Sequence, residues 1–354
     1  MSYVKFLVFA DFHYKKKMYP SSVPQLCSIF DRASSEGCEF VVHAGDLCND
    51  YKGSPELVRA YLENAHGMPV FGVYGNHELE SRDNSMQTVT PKLSNRTEQL
   101  VFGTESGGIE DGSIGYYYTD IKNFRLIFLD TNYSLTPDNE YEHNRTASWG
   151  KPAENTASDS LGDKQLDWLR RVLLDAAGSE KCCIVFSHAS FSGIWKSAPD
   201  AEAVRGIFRE ANALRKNTVL LAVNGHYHTD HAASVEGVCY FDCHAAINGW
   251  WQSKEFHPYK ESDESSPAYT FDYSDYDEDG RLLSSCKMPY SKLRMGSQSL
   301  FFRDPLSAVI TVSDNGEVNI TGMSTSWAYG ISGGLTALPE ARIKNYSSKN
   351  NSEA

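Results

Sequence analysis

Tyr74-Gly75-Asn76-His77-Glu78 follows an apolar run, Pro69 to Val73, and sets a carboxamide, an imidazole and a carboxylate side by side. A strand that ends in such a cluster holds polar side chains at the rim of a sheet, where open α/β folds bind ligands. Gly-Asn is also ordinary turn chemistry, so the stretch gains its weight from company. Four other apolar runs end in the same way. Tyr3 to Ala10 precedes Asp11-Phe12-His13, and Phe40 to His43 precedes Gly45-Asp46. Lys181 to Ser187 precedes His188, and Val219 to Val223 precedes Gly225-His226-Tyr227-His228.

Between these runs the periodicity is helical. Leu26, Ile29, Phe30 and Ala33 form an apolar stripe over about Pro24 to Glu36, which Gly37 closes. Ser54 and Pro55 open a second helix that Gly67 ends. The alternation β-α-β-α-β predicts a parallel sheet with right-handed crossovers. Tyr116–Thr119 and Phe124–Leu129 read as a hairpin turning near Lys122-Asn123, with Asp130-Thr131-Asn132 at its end.

Ser160-x-x-Asp163 has the form of a capping box before a helix carrying Leu166, Leu169, Val172 and Leu173 on one face. A further helix is expected over Asp200–Lys216, a strand over Val238–Cys243, and a hairpin around Asp314-Asn315-Gly316. The stretches 133–160 and 251–299 read as loop-rich insertions without strand or helix period. A single domain over 1–335 with a polar tail, 336–354, frayed after about Pro339, is the expected organisation.

Composition narrows the class. The chain has 354 residues, 41% hydrophobic and 22% charged, as in ordinary globular proteins. No apolar run approaches the roughly 20 residues of a membrane span. The first run is too short for a signal-peptide core, and Asp11 and His13 close it where a small-residue cleavage site should stand. A cytoplasmic location and no membrane partner are expected. Eight cysteines without a Cys-x-x-Cys pair read as buried free thiols of a reducing compartment. The net charge of −13 disfavours nucleic acid as a partner, and the one basic run, Lys15-Lys16-Lys17, is short.

The strand-end residues are Asp11, His13, Asp46, Asn76, His77, His188, His226 and His228. Imidazole, carboxylate and carboxamide together suit borderline transition metals such as iron, manganese or zinc. So many potential ligands exceed the need of one tetrahedral site. Two metals sharing a bridging carboxylate account for them. Such pairs lie about 3.5–4 Å apart, activate a bridging water and clamp both oxygens of a phosphoryl group. Asp11 and His13 lie two apart, so on an extended strand they point to one side, as do His226 and His228. Gly45, Gly75 and Gly225 each precede a key residue, where a small residue lets the chain turn and a metal approach the backbone.

These blocks resemble the calcineurin-like metallophosphoesterase superfamily, whose signature runs Asp-x-His, Gly-Asp, Gly-Asn-His-Asp/Glu, a lone His, and Gly-His-x-His. The resemblance spans residues 1 to about 250. It implies that Asp11, His13, Asp46 and His228 hold one metal and that Asp46, Asn76, His188 and His226 hold a second, with Asp46 bridging. The cofactors implied are two divalent or trivalent transition-metal ions (Mn, Fe or Zn). His77 would bind no metal; it would face the substrate, stabilise the phosphoryl oxygens and protonate the leaving alkoxide, a role suited to an imidazolium near neutral pH.

The implied fold is the metallo-dependent phosphatase fold, an α/β class four-layer α/β/β/α sandwich of two mixed sheets. The implied activity is hydrolysis of a small phosphate-ester substrate, a phosphomonoester or phosphodiester. A nuclease is disfavoured by the acidic charge and the lack of a basic, aromatic-interleaved patch. A non-catalytic scaffold of the same fold is disfavoured by His77 and the full ligand set. Asn49 stands where protein Ser/Thr phosphatases carry an Asp and purple acid phosphatases a Tyr ligand, so neither branch fits well. His231 and His244 are further candidates for a substrate or supporting role, Trp195 and Trp250-Trp251 for a cleft wall, and His43 for the core.

Overall fold

The computed structural model describes residues 1–14, 23–48, 65–79, 94–96, 99–103, 115–135, 141–143, 157–194, 197–250, 270–276, 282–289, 299–326 and 342–348. The first half runs β1 (Tyr3–Phe9), α1 (Val23–Ser35), β2 (Phe40–His43), β3 (Val70–Gly72), β4 (Val101–Phe102), β5 (Tyr117–Ile121), β6 (Phe124–Phe128), β7 (Tyr133–Leu135), β8 (Tyr141–His143) and β9 (Ala157–Ser160). Then follow α2 (Asp163–Gly178), β10 (Cys182–Phe186), α3 (Ala201–Leu214), β11 (Val219–Asn224), β12 (His231–Val235), β13 (Val238–Asp242) and β14 (Asn248–Trp250). The chain continues with β15 (Thr270–Tyr276), β16 (Leu282–Pro289), β17 (Ser299–Phe301), β18 (Ala308–Ser313), β19 (Val318–Thr321) and β20 (Tyr346–Ser347).

Two mixed sheets carry the core. The first has the order β20-β19-β18-β1-β2-β3 and the second β12-β13-β11-β10-β6-β5-β4. In the first, β1, β2 and β3 are parallel, as the β-α-β alternation predicts. In the second, β6, β10, β11 and β13 are parallel, flanked by antiparallel β5 and β12.

The sheets face each other through rings. Phe6 stacks on Phe40 at 4.9 Å, Phe128 on Phe186 at 4.9 Å, and Phe6 meets Phe186 edge-on across the layer at 5.7 Å. Each buried ring stabilises the sandwich by about 1.5–3 kcal/mol. On one outer face the stripe Leu26, Ile29, Phe30 and Ala33 of α1 joins this core; on the other, α2 and α3 cover the second sheet with Leu169, Leu173, Val204 and Phe208. The fold is therefore the four-layer α/β/β/α sandwich. None of its described helices is long and apolar enough to cross a membrane.

Several expectations need correction. Ser160 is no helix cap: α2 has Gly162 at that position with no side-chain cap bond, and Ser160 lies buried in β9. The stretches read as loop-rich insertions contain strands, β7-β8-β9 in one sheet and β15-β16 as a pair, while β14 just before the second stretch pairs with β17 at its end. Their side chains do not alternate cleanly between apolar and polar, which hides the strand period. The chain beyond Pro339 is not frayed throughout, because Ile343 is buried and β20 pairs with β19. Strand β12 adds to the expected elements; Gly237 lies in the turn that pairs it with β13. Lys15 to Lys17, Asn49, the start of the helix at Ser54, Trp195 and Trp251 lie outside the described residues.

Candidate metal centre

Backbone pairing continues past the ends of β1 and β2 and sets the first ligands. Asp11 N donates to Gly45 O at 3.0 Å, and His13 N donates to Asp46 O at 2.8 Å. The expected extended geometry is absent here. Asp11, His13, Asp46, His226 and His228 have φ of 51°, 48°, 53°, 70° and 51°, all in the left-handed region. Side chains with a Cβ pay roughly 1–2 kcal/mol there, and Asp and His tolerate it better than most. So many strained residues at one sheet edge mark a site whose surroundings over-determine it.

The side chains converge. His13 Nε2 lies 3.1 Å from His228 Nε2, and His228 Nε2 lies 3.3 Å from Asp11 Oδ1. His188 Nε2 lies 3.2 Å from His226 Nδ1 and 3.3 Å from Asp46 Oδ2. Three sets can each direct one ligand atom at a common ion: Asp11, His13 and His228; Asp46, His188 and His226; and His13, Asp46 and His77. The first set holds three of the four residues expected around one ion, and the second holds three of the four expected around the other. His77 sits at the mouth, its ring edge-on to His13 at 4.7 Å and its Nε2 3.8 Å from Asp46 Oδ2.

These residues fit a pair of ions. Asn76 Oδ1 is buried and has no hydrogen-bond partner among the described residues, which suits an oxygen kept for coordination. His188 Nδ1 donates to Ala44 O at 2.8 Å, so its Nε2 is the nitrogen left to ligate. Charge balance points the same way. Burial pushes the Asp46 carboxyl up, but His188, His77 and His13 outweigh it and hold the group well below the usual carboxylate range. Asp11 is held down likewise, by His228 and His188 against burial. Burial takes His13 down to about 4, the neutral form a metal needs. Burial also opposes protonation of His188, but the Asp46 and Asp11 carboxylates lift it to about 10.

Two residues near the centre have no role assigned from the sequence, although Glu78 closes the opening stretch. Glu78, buried, accepts from Gly75 N at 2.5 Å, Asp46 N at 2.9 Å and Cys48 N at 3.3 Å, tying the Asn76 turn to the Asp46 turn. Its signal was its place beside His77. Burial and the Asp46 carboxylate push its own carboxyl up to about 7. Asp159 of β9 lies 3.7 Å from His226 Nε2 and had no local signal. His231 contacts Asp242, His244 bonds Ala245 O at 3.1 Å, and neither ring belongs to the three sets. His43 is wholly buried in the core.

The glycines serve the neighbouring ligands more than an approaching ion. A Cβ on Gly45 would fall 2.3 Å from His188 Nδ1, and one on Gly75 would fall 2.0 Å from Asp46 Oδ1. Gly75→Ala is therefore expected to displace the Asp46 carboxylate. An overlap of this kind costs about 1–3 kcal/mol. Calorimetry should show a melting midpoint lowered by a few degrees, and metal titration a weaker affinity. An unchanged affinity would mean that the carboxylate does not hold the ion.

Known proteins sharpen the picture. A family model described as calcineurin-like phosphoesterase matches residues 4–230. No curated protein matches the sequence significantly. Among solved structures, a dimetal phosphatase from Danio rerio is similar at TM-score 0.54 and 13% identity, covering 97% of this chain and 98% of that one. At that identity the likeness is one of fold. A purple acid phosphatase from yellow lupin, Lupinus luteus, gives 0.40 and 14%, covering 97% and 54%. A 5'-nucleotidase precursor from Thermus thermophilus gives 0.40 and 13%, covering 82% and 55%. These last two scores are too low to argue from.

Proposed function

The chain belongs to the calcineurin-like phosphoesterase family, and from that premise we propose that it is a two-metal hydrolase of a phosphomonoester or phosphodiester of a small soluble substrate. The observation that carries the reading is Asp46, which lies 3.3 Å from His188 on one side and 3.8 Å from His13 on the other. Asp11, His13, Asp46 and His228 would hold one ion; Asp46, Asn76, His188 and His226 would hold the other. Bound there, a pair of manganese, iron or zinc ions supplies Lewis-acid stabilisation of phosphoryl charge and a water acidic enough to attack at neutral pH.

The remaining chemistry belongs to the chain. His77, partly exposed at the mouth, takes the general-acid role and donates a proton to the departing alkoxide. Its backbone N–H, donating to Asp46 Oδ1 at 2.9 Å, fixes the turn that presents the ring. Glu78 holds the Asp46 and Asn76 turns in register, so that both ligand groups keep their spacing.

The test begins with purified full-length chain titrated with manganese or zinc in weak buffer. With only protein charges around it His188 holds its proton to about 10, so metal uptake must displace that proton. Uptake should acidify the solution and weaken as pH falls. Elemental analysis is expected to find two ions per chain. p-Nitrophenyl phosphate or bis(p-nitrophenyl) phosphate should then turn over, and chelation should abolish it. Two ions bound with no turnover of any ester would favour the scaffold reading instead.

A further inference from the structure

We propose that the rim of the second sheet beyond His228 forms a leaving-group subsite in which His231, Asp242 and Asp159 take the hydrogen-bond-donating part of the substrate alcohol. This rests on the phosphoesterase reading and specifies its substrate class: esters whose alcohol carries further hydroxyls or an ammonium group.

Topology brings these residues to the metal edge. β11 runs directly into His226, and β13 lies beside it in parallel with Asn224 opposite Asp242. β12 returns antiparallel on β13, with His231 opposite Asp242. The ends of β11 and β13 and the start of β12 therefore share one rim. At the usual strand spacing, His231 stands two strands, about 10 Å, outward from the end of β11. A small phosphorylated polyol held at the metals reaches that far.

The side chains there form a built acceptor site. Asp242 is 1% exposed; its Oδ2 lies 3.1 Å from His231 Nδ1, while its Oδ1 has no hydrogen-bond partner among the described residues. A carboxylate only accepts, so Nδ1 donates, and in that tautomer Nε2 is the accepting nitrogen. The His231 side chain is 32% exposed. A buried carboxylate oxygen without a donor is costly and calls for a partner, which a donor group of the substrate would supply.

Asp159 adds a second carboxylate, 3.7 Å from His226 on the same rim. Tyr227 lies edge-on to His226 at 4.8 Å. Such a surface selects donors. A second phosphate, which offers only acceptors and negative charge, is repelled.

The test uses the metal-loaded full chain and kcat/KM for ribose 5-phosphate, phosphoethanolamine, fructose 1,6-bisphosphate and ethyl phosphate, whose alcohol has no second donor. Wild type is expected to prefer ribose 5-phosphate or phosphoethanolamine over ethyl phosphate, and which of the two leads tells hydroxyl from ammonium. In His231→Ala and Asp242→Asn that preference should fall about tenfold, through KM, the worth of one lost hydrogen bond. His231→Gln, which keeps an acceptor, should restore most of it.

No preference in wild type, a preference for the bisphosphate, or a proportional loss across all esters in the variants would overturn the subsite. Should Asp242→Asn fail to fold, the partly exposed His231 carries the comparison alone. Should no ester turn over, the phosphoesterase reading fails separately. Saturation-transfer NMR with ribose and ethanolamine then decides: a signal lost in His231→Ala supports the subsite, and no signal in wild type overturns it.

Discussion

Asp46→Asn is expected to deprive the chain of both ions and of turnover together. The Asp46 side chain is almost wholly buried, with His188 at 3.3 Å and His13 and His77 at 3.8 Å. It belongs to two of the three convergent sets, so its charge serves both sides of the centre. A carboxamide keeps one oxygen for the His77 N–H, so the turn survives. What disappears is the negative charge that offsets two cations in a buried setting. Several kcal/mol of electrostatic stabilisation go with it, and turnover should fall by roughly 10³-fold or more. Elemental analysis and turnover on the same sample read both effects. Two ions retained at full occupancy would refute the bridge.

His77→Ala should produce the opposite pattern, with metal content near normal and chemistry impaired. Loss of a general acid costs about 10²–10⁴-fold in rate. The loss should be largest for alkyl phosphates, whose alkoxide needs a proton, and smaller for p-nitrophenyl phosphate, whose phenolate leaves unaided. This dependence on leaving group separates an acid from a merely structural ring. The geometry also permits His77 to join His13 and Asp46 around an ion. Loss of both metals in the variant would assign it that role and contradict the acid.

Much of this was legible in the residues themselves. Apolar runs with helical stripes between them predict β1, α1, β2 and β3 to within a residue or two, because burial demands the same periodicity in any context. The hairpins β5-β6 and β18-β19 declared themselves through their turns, Lys122-Asn123 and Asp314-Asn315-Gly316. The strands of 133–160 and 251–299 did not. Polar and aromatic residues are mixed along them, and pairing in this part of the chain is settled by distant partners, such as β14 with β17.

The candidate site divides in the same way. Asp11, His13, Asp46, Asn76, His77, His188, His226 and His228 could be named from their positions at the ends of apolar runs, since a parallel strand must deliver its C-terminal residue to the rim. How they converge was not visible. Strand alternation suggested extended pairs, whereas left-handed turns at Asp11, His13, His226 and His228 do the aiming. Nothing local signals such a turn, because Asp and His adopt it only when surrounding packing imposes it.

The linear chain by itself thus determined the layered α/β class and the candidates for the metal centre, since both follow from the local alternation of apolar runs and polar ends. Only the tertiary structure decided that Glu78 ties two turns together, that Asp159 reaches His226, and that His231 meets Asp242. Those contacts join residues up to 67 positions apart, counting from Asp159 to His226. Pairings of that kind arise from how sheets stack and strands register, which no local pattern of side chains encodes.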